Sequence, residues 1–233
     1  MGTYPGRGLH GQVVESIGAR IIRGDFPPGV ALVPEVLERE YDVSKTVIRE
    51  ALRVLAAKGL VDSRQKRGTY VRPRSAWSLL DADLLRWQGR ENPDSTFLEN
   101  LAEVRAIVEP AGARLAALRR TDADLAALED ALALMAGAGR DADAVIAADL
   151  RFHRALLDSA HNELLSRMEV VIETGLRVRD EIVHQGGHWA DSVPAHRALL
   201  DAVRAADGDA AVAAMRDLLA QASTDLADRM GDA

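Results

Sequence analysis

Between Leu9 and Val71 the chain changes its hydrophobic period in a way that few folds accept. From Leu9 to Arg23, apolar residues recur at helical spacing, with Val13, Ile17 and Ile21 on one stripe, and Gly24 with Pro27-Pro28-Gly29 stops the pattern. A short helix is expected from about Pro34 to Tyr41. Asp42-Val43 then turns the chain to Ser44, whose hydroxyl is suited to accept an orphan backbone N–H at a helix start. A third helix follows from Lys45 to Lys58, with Val47, Ile48, Ala51, Leu52 and Leu55 as its buried stripe and Gly59 as its stop. Leu60-Val61, a basic stretch, and Gly68-Thr69-Tyr70-Val71 read as a two-stranded hairpin with its turn near Lys66 to Gly68. Two short helices joined by a tight turn, the second one basic, followed by a hairpin, make a winged helix-turn-helix.

Beyond Pro73 the pattern is helical throughout. The segment from Trp77 to Trp87 reads as a connecting helix that breaks between Gly89 and Pro93, and further helices are expected near 95–119, 122–137, 142–159, 162–184, 191–206 and 208–229. The fold class is therefore mainly α: a winged helix-turn-helix over residues 1–74, a connecting helix or linker over 75–94, and an all-helical bundle over 95–233. Its length of 233 residues suits two ordinary domains.

Charge supports this division. Residues 1–74 hold 13 Lys and Arg against 8 Asp and Glu, while the remainder holds 16 against 28, so the formal charge of −7 conceals a basic segment joined to an acidic one. A DNA-binding module fused to an acidic partner domain has this asymmetry. In the third helix, Ser44, Lys45, Thr46 and Arg49 lie away from the apolar stripe and are placed to face a DNA groove. Arginine can donate two bonds to guanine, and lysine or hydroxyl side chains reach phosphates or base edges. In the hairpin, Arg64, Lys66, Arg67 and Thr69 cluster around Gly68, where the missing side chain permits close backbone approach.

In the helical segment four ionisable residues fall on inward stripes. Asp149 and His153 stand four residues apart on one helix face, His196 lies on the stripe Val193, His196, Leu200, Val203, and Arg105 lies on Leu98, Leu101, Arg105, Val108. Such groups are costly in a core unless they converge on one another, on water or on a ligand. Two readings stand side by side: a divalent metal held by Asp149, His153 and His196, or a polar pocket without metal.

The run Val-Ser-Lys-Thr-Val-Ile-Arg-Glu-Ala-Leu-Arg-Val-Leu-Ala-Ala-Lys-Gly-Leu-Val from Val43, with Lys-Arg-Gly-Thr-Tyr-Val ending at Val71, resembles the winged helix of GntR-type regulators. Where many members carry Arg in the short helix, this chain has Glu35. Residues 95–225 resemble the FCD-type sensor of the FadR subfamily, whose Asp-x-x-x-His pair and two later His commonly bind a divalent metal such as zinc, nickel or manganese beneath the effector. The resemblance assigns Asp149, His153 and His196 to that site and places Leu218 where the last His is expected. It matches Arg105, in Glu-Val-Arg-x-x-x-Glu, to an arginine suited to clamp an effector carboxylate. The Trp77–Trp87 connector resembles members that answer to sugar acids such as galactonate. What the resemblance implies is a homodimeric repressor of a catabolic operon that binds a pseudo-palindromic double-stranded operator and is released by a small carboxylate or sugar acid.

A metal-dependent hydrolase or a metal-binding helical bundle is the alternative. No carboxylate at HExxH-type spacing offers a general base, and neither alternative uses a basic winged helix. The first ten residues lack signal-peptide character, no stretch approaches the roughly 20 apolar residues of a membrane span, and cysteine is absent. A cytoplasmic, non-enzymatic regulator is expected. His184, His188 and Trp189, beside a Gly-Gly pair, are further candidates for a pocket mouth.

Overall fold

A computed structural model describes residues 8–64, 68–91, 93–184 and 192–231. The chain divides into two compact units, Met1–Pro93 and Asp94–Ala233.

In the first unit, α1 (Leu9–Arg23), α2 (Pro34–Tyr41) and α3 (Lys45–Ala57) pack with a three-stranded antiparallel sheet of order β1-β3-β2. The strands are β1 (Ala31–Leu32), β2 (Val61–Arg64) and β3 (Gly68–Val71), with Val61 opposite Val71 and Arg64 opposite Gly68. The hairpin expected from the sequence therefore gains a third strand. Two residues are too few for an alternating pattern, so β1 leaves no periodic signal. Ile17, Ile48, Leu55 and Leu60 are fully buried at the centre. Ser44 occupies the N-cap position of α3 but makes no side-chain cap bond, so its hydroxyl does not play the capping role expected of it.

The segment read as a connector belongs to this core. A single 3-10 turn (Arg74–Ala76) leads to α4 (Ala82–Glu91), and Trp87 at its centre is buried against α1. The helix starts at Ala82 rather than Trp77 because the Asp81 carboxylate accepts from the backbone N–H groups of Asp83 and Leu84, a side-chain cap that fixes the first turn. It runs through Gly89, the expected break, which is itself buried. The Trp87 ring fills the place of a missing side chain: a Cβ on Gly18 would lie 2.5 Å from the ring.

An ionic network fastens α4. Lys58 Nζ lies 2.8 Å from Asp81 and 2.7 Å from Asp83, Arg86 bridges Asp83 and Glu15, and the Trp87 indole donates to Glu15 at 2.8 Å. Burial works against the Lys58 charge, yet Asp81 and Asp83 outweigh it and hold the ammonium above its usual pKa. Burial likewise raises the Asp83 carboxyl, but Lys58 and Arg86 pull it below its ordinary range.

The second unit is all helical: α5 (Ser95–Arg119), α6 (Asp122–Gly137), α7 (Ala142–Ser159), α8 (Glu163–Arg167), α9 (Glu169–His184), α10 (Val193–Arg204) and α11 (Gly208–Gly231). Its helix starts are chemically marked. Asp94 accepts from Phe97 N, Thr121 and Asp124 form a reciprocal capping box, Asp141 caps α7, and Asn162 caps α8. α5 is the central helix and packs on α7, α9, α10 and α11. The single helix expected over 162–184 is two, because the chain tightens at Met168, whose N–H bonds to Leu165 O before α9 begins. No Gly or Pro marks that break. The core joins Ala113, Leu128, Leu132, Phe152, Leu199 and Met215.

Replacing Lys58 by Met leaves the Asp81 and Asp83 carboxylates facing each other without their shared cation. We expect the first unit to lose roughly 3 kcal/mol of stability, read as a lower urea midpoint. The folded pKa of Asp83 is depressed, so its contribution is complete at neutral pH and fades as pH falls below the unfolded value near 3.9. The loss caused by Lys58→Met should accordingly shrink in acid.

Candidate functional site

Two sets of residues carry chemistry. On the first unit, Ser44, Lys45, Thr46 and Arg49 are all exposed on one side of α3, while Ile48, Ala51, Leu52 and Leu55 are buried on the other. Val47 is half-buried against the same core. Lys45 is not a free cation: its ammonium pairs with Glu35 of α2 at 2.5 Å, and that pair, with Arg49 nearby, holds the Glu35 carboxyl below its usual range. In the wing, Gly68 has φ +78°, a left-handed conformation that side chains disfavour, and nothing crowds the place a Cβ would take. The Thr69 hydroxyl shares a 2.9 Å hydrogen bond with Ser63, and Arg64 ends β2 opposite Gly68. Lys66, Arg67, His188 and Trp189 lie outside the described residues, and His184 ends α9.

In the second unit, helical register gathers five ionisable side chains in the core. Arg105 and Glu109 come from successive turns of α5, Asp149 and His153 from successive turns of α7, and His196 from α10. All five are at most 6% exposed. Asp149, His153 and His196 each offer a ligand atom within 4.8 Å of the others. His196 Nε2 lies 3.0 Å from Asp149 Oδ1 and His153 Nε2 lies 3.9 Å from the same oxygen. Ligand atoms on a common zinc ion stand roughly 3.3 Å apart, so these spacings bracket what a small cation requires.

Proton positions favour the same use. His196 Nδ1 is 2.8 Å from the carbonyl oxygen of Ser192, which can only accept, so Nδ1 carries a hydrogen and Nε2 is the nitrogen that faces Asp149. His153 Nδ1 lies 2.6 Å from Glu109 Oε2, close but without hydrogen-bond geometry, and its Nε2 is on the Asp149 side. Neither Nε2 atom has a hydrogen-bond partner of good geometry, although both are buried. Two imidazole nitrogens and a carboxylate oxygen gathered within 4.8 Å of one another are a donor set that could hold a divalent metal.

The Glu109 carboxylate is the member whose role the sequence reading did not assign. Its Oε1 accepts from Arg105 Nε at 2.5 Å while Oε2 faces His153. Burial pushes its carboxyl up, but Arg105 and His153 prevail and its pKa falls to about 2. The available signal was its position four residues after Arg105, on the same inward face. Leu218 is buried in the apolar core of α11. Arg105 also lines a cavity of about 320 Å³ between α5, α9 and α11 with Leu98, Leu101, Arg216 and Ser223. A separate cavity of about 250 Å³ between α7 and α9 reaches His153. Four residues expected around one effector thus divide: Arg105 and His153 line different cavities, and Asp149 and His196 line neither.

Comparison with known proteins settles the class. Residues 9–71 match the bacterial regulatory proteins of the gntR family, and residues 100–221 match the FCD domain. The chain belongs to the GntR family. This regulator is 37% identical over 215 residues to the galactonate operon transcriptional repressor of Escherichia coli, covering 91% of this chain and 94% of that protein. Its fold is that of the Listeria monocytogenes regulator Lar (TM-score 0.66, 18% identity, 95% and 98% of the two chains) and of E. coli McbR/YncC (TM-score 0.58, 19% identity, 96% and 99%). With a GntR winged helix and an FCD domain in one chain, the protein is a transcription regulator, and the comparisons lend no support to a hydrolase. No helix among the described residues is long and apolar enough to cross a membrane.

Glu109→Ala removes the carboxylate that faces both Arg105 and His153. A loss of roughly 3–5 kcal/mol in the second unit is expected, because breaking a buried ion pair strands its other charge. Chemical denaturation followed by far-UV circular dichroism measures it.

Proposed function

We propose that this regulator represses a catabolic operon and leaves its operator when it binds a sugar acid of the galactonate class. The carrying observation is the likeness to the galactonate operon repressor over nine-tenths of both chains, joined to a buried guanidinium beside a cavity large enough for a six-carbon acid. Arg105 binds the acid carboxylate with its planar fork. Asp149, His153 and His196 hold a divalent cation, zinc, nickel or manganese, through three protein ligands, Leu218 standing where the family resemblance expects a fourth. When bound, the cation supplies a Lewis-acidic seat for carboxylate or hydroxyl oxygens. The working form is a cytoplasmic homodimer on a pseudo-palindromic site.

At the DNA, Ser44, Lys45, Thr46 and Arg49 read the major groove from α3, and the wing residues Arg64, Lys66, Arg67, Gly68 and Thr69 follow the backbone or the adjacent groove. Glu35 tempers this face by neutralising Lys45. Residues 1–74 bind the operator, 75–94 lead on to the helical part while α4 packs into the first core, and 95–233 sense and dimerise.

Thermal unfolding against D-galactonate and related acids, with and without chelator, tests the sensor. A midpoint that rises with galactonate, and rises less after chelation, is the expected result; absence of any shift across the acids removes the sugar-acid reading.

For the DNA face, Arg49→Ala should weaken operator binding by about 1–3 kcal/mol while leaving the ligand-induced thermal shift in place. Glu35→Gln should act oppositely, freeing Lys45 and steepening the dependence of log K on log salt by about one unit. Fluorescence anisotropy across a salt series reads both.

A further inference from the structure

We infer that Glu109 is the positioning residue of the Asp149/His153/His196 centre, an acidic outer partner that sets the tautomer and direction of His153 and so governs how tightly a divalent cation is held. This rests on the reading of that centre as a cation site given above.

The argument starts from the two nitrogens of His153. A ring buried to 2% exposure can turn Nε2 toward Asp149 as a lone pair only if Nδ1 keeps the proton. At 2.6 Å the atom facing Nδ1 is Glu109 Oε2, so that proton has an anionic acceptor. The contact does not meet hydrogen-bond geometry as it stands, so the closeness of the two buried atoms is what supports the pairing. His196 is held by the same logic with a weaker partner, the neutral carbonyl of Ser192. The two imidazoles therefore differ: one is backed by a dipole, the other by a full charge.

Glu109 can serve only while ionised, and an ionised carboxylate in a core needs a counter-charge. Arg105 provides it through Nε at 2.5 Å, from one turn earlier on the same helix. Arg105, Glu109 and His153 thus form one line of contacts that reaches from the 320 Å³ cavity to the centre. A carboxylate behind a ligating imidazole fixes ring orientation and raises ligand basicity, and losing such a partner typically costs about 10–100-fold in metal affinity.

Cobalt(II) titration of the full chain provides the test, because visible d–d absorption reports the ligand geometry directly. Glu109→Gln keeps the shape but removes the charge. Cobalt affinity should fall about 10–100-fold relative to the unaltered protein, with partial recovery in Glu109→Asp. Leu128→Ala, a cavity variant in the same core, controls for lost stability and should keep its cobalt affinity. Unchanged affinity in Glu109→Gln, or an equal loss in Leu128→Ala, overturns the assignment. If the unaltered protein takes up no cobalt, zinc or nickel, the cation reading itself fails, a result separate from a cobalt-binding protein indifferent to Glu109.

Discussion

A buried carboxylate with two obligations governs the helical unit. Glu109 accepts from Arg105, which keeps it ionised, and from the same position on α5 its second oxygen lies 2.6 Å from His153. Apolar side chains tolerate small slides of one helix along another, since any close-packed neighbour gives similar dispersion energy. Charged groups at 2.5–3.0 Å do not. Meeting all the contacts at once fixes the register of α5 against α7, and His196 extends that constraint to α10. Leu128, Leu132, Phe152 and Leu199 then fill the space around an arrangement whose alignment the polar residues specify.

The first unit solves the opposite problem. Its core is apolar, and its ionic network lies at the edge, where Lys58, Asp81, Asp83, Arg86 and Glu15 fasten α4 across α1 and the end of α3. Trp87 covers Gly18 as part of the same closure. Arg49, Thr46 and Ser44 remain exposed because the stability of the unit does not draw on them. The exposed polar side of α3 is kept apart from the charges that hold the fold.

Much of this architecture was legible in the sequence. The bounds of α5, α6 and α7 follow from clean helical periods, and the placing of Asp149, His153, His196 and Arg105 on core faces follows from the apolar stripes they interrupt. Failures have local causes. The break at Met168 arises from a tightened turn with no Gly or Pro to announce it, and β1 is two residues long. The helix expected over Trp77–Trp87 starts five residues later because its first turn depends on tertiary partners: Asp81 ends the irregular stretch by capping α4, and Lys58, 23 residues earlier, rewards that conformation. Glu109 escaped for a related reason, since a glutamate after an arginine at helical spacing looks like an ordinary ion pair until the ring of His153 is seen against it.

Charge balance links the two chemistries of the sensor. Counting the imidazoles as neutral, as metal binding would require, and the carboxylates as ionised, Arg105, Glu109, Asp149, His153 and His196 together contribute −1, a contribution that favours a cation over a carboxylate. Arg105 does not escape that field, because its Nε is already engaged by Glu109. A divalent cation at the centre would reverse that contribution to +1 and make the same core more receptive to an anion. An acid that reaches Arg105 also competes with Glu109 for the guanidinium, which turns more of the Glu109 charge toward His153. Coupling of this kind is reciprocal: whatever affinity the acid gains from the cation, the cation gains from the acid.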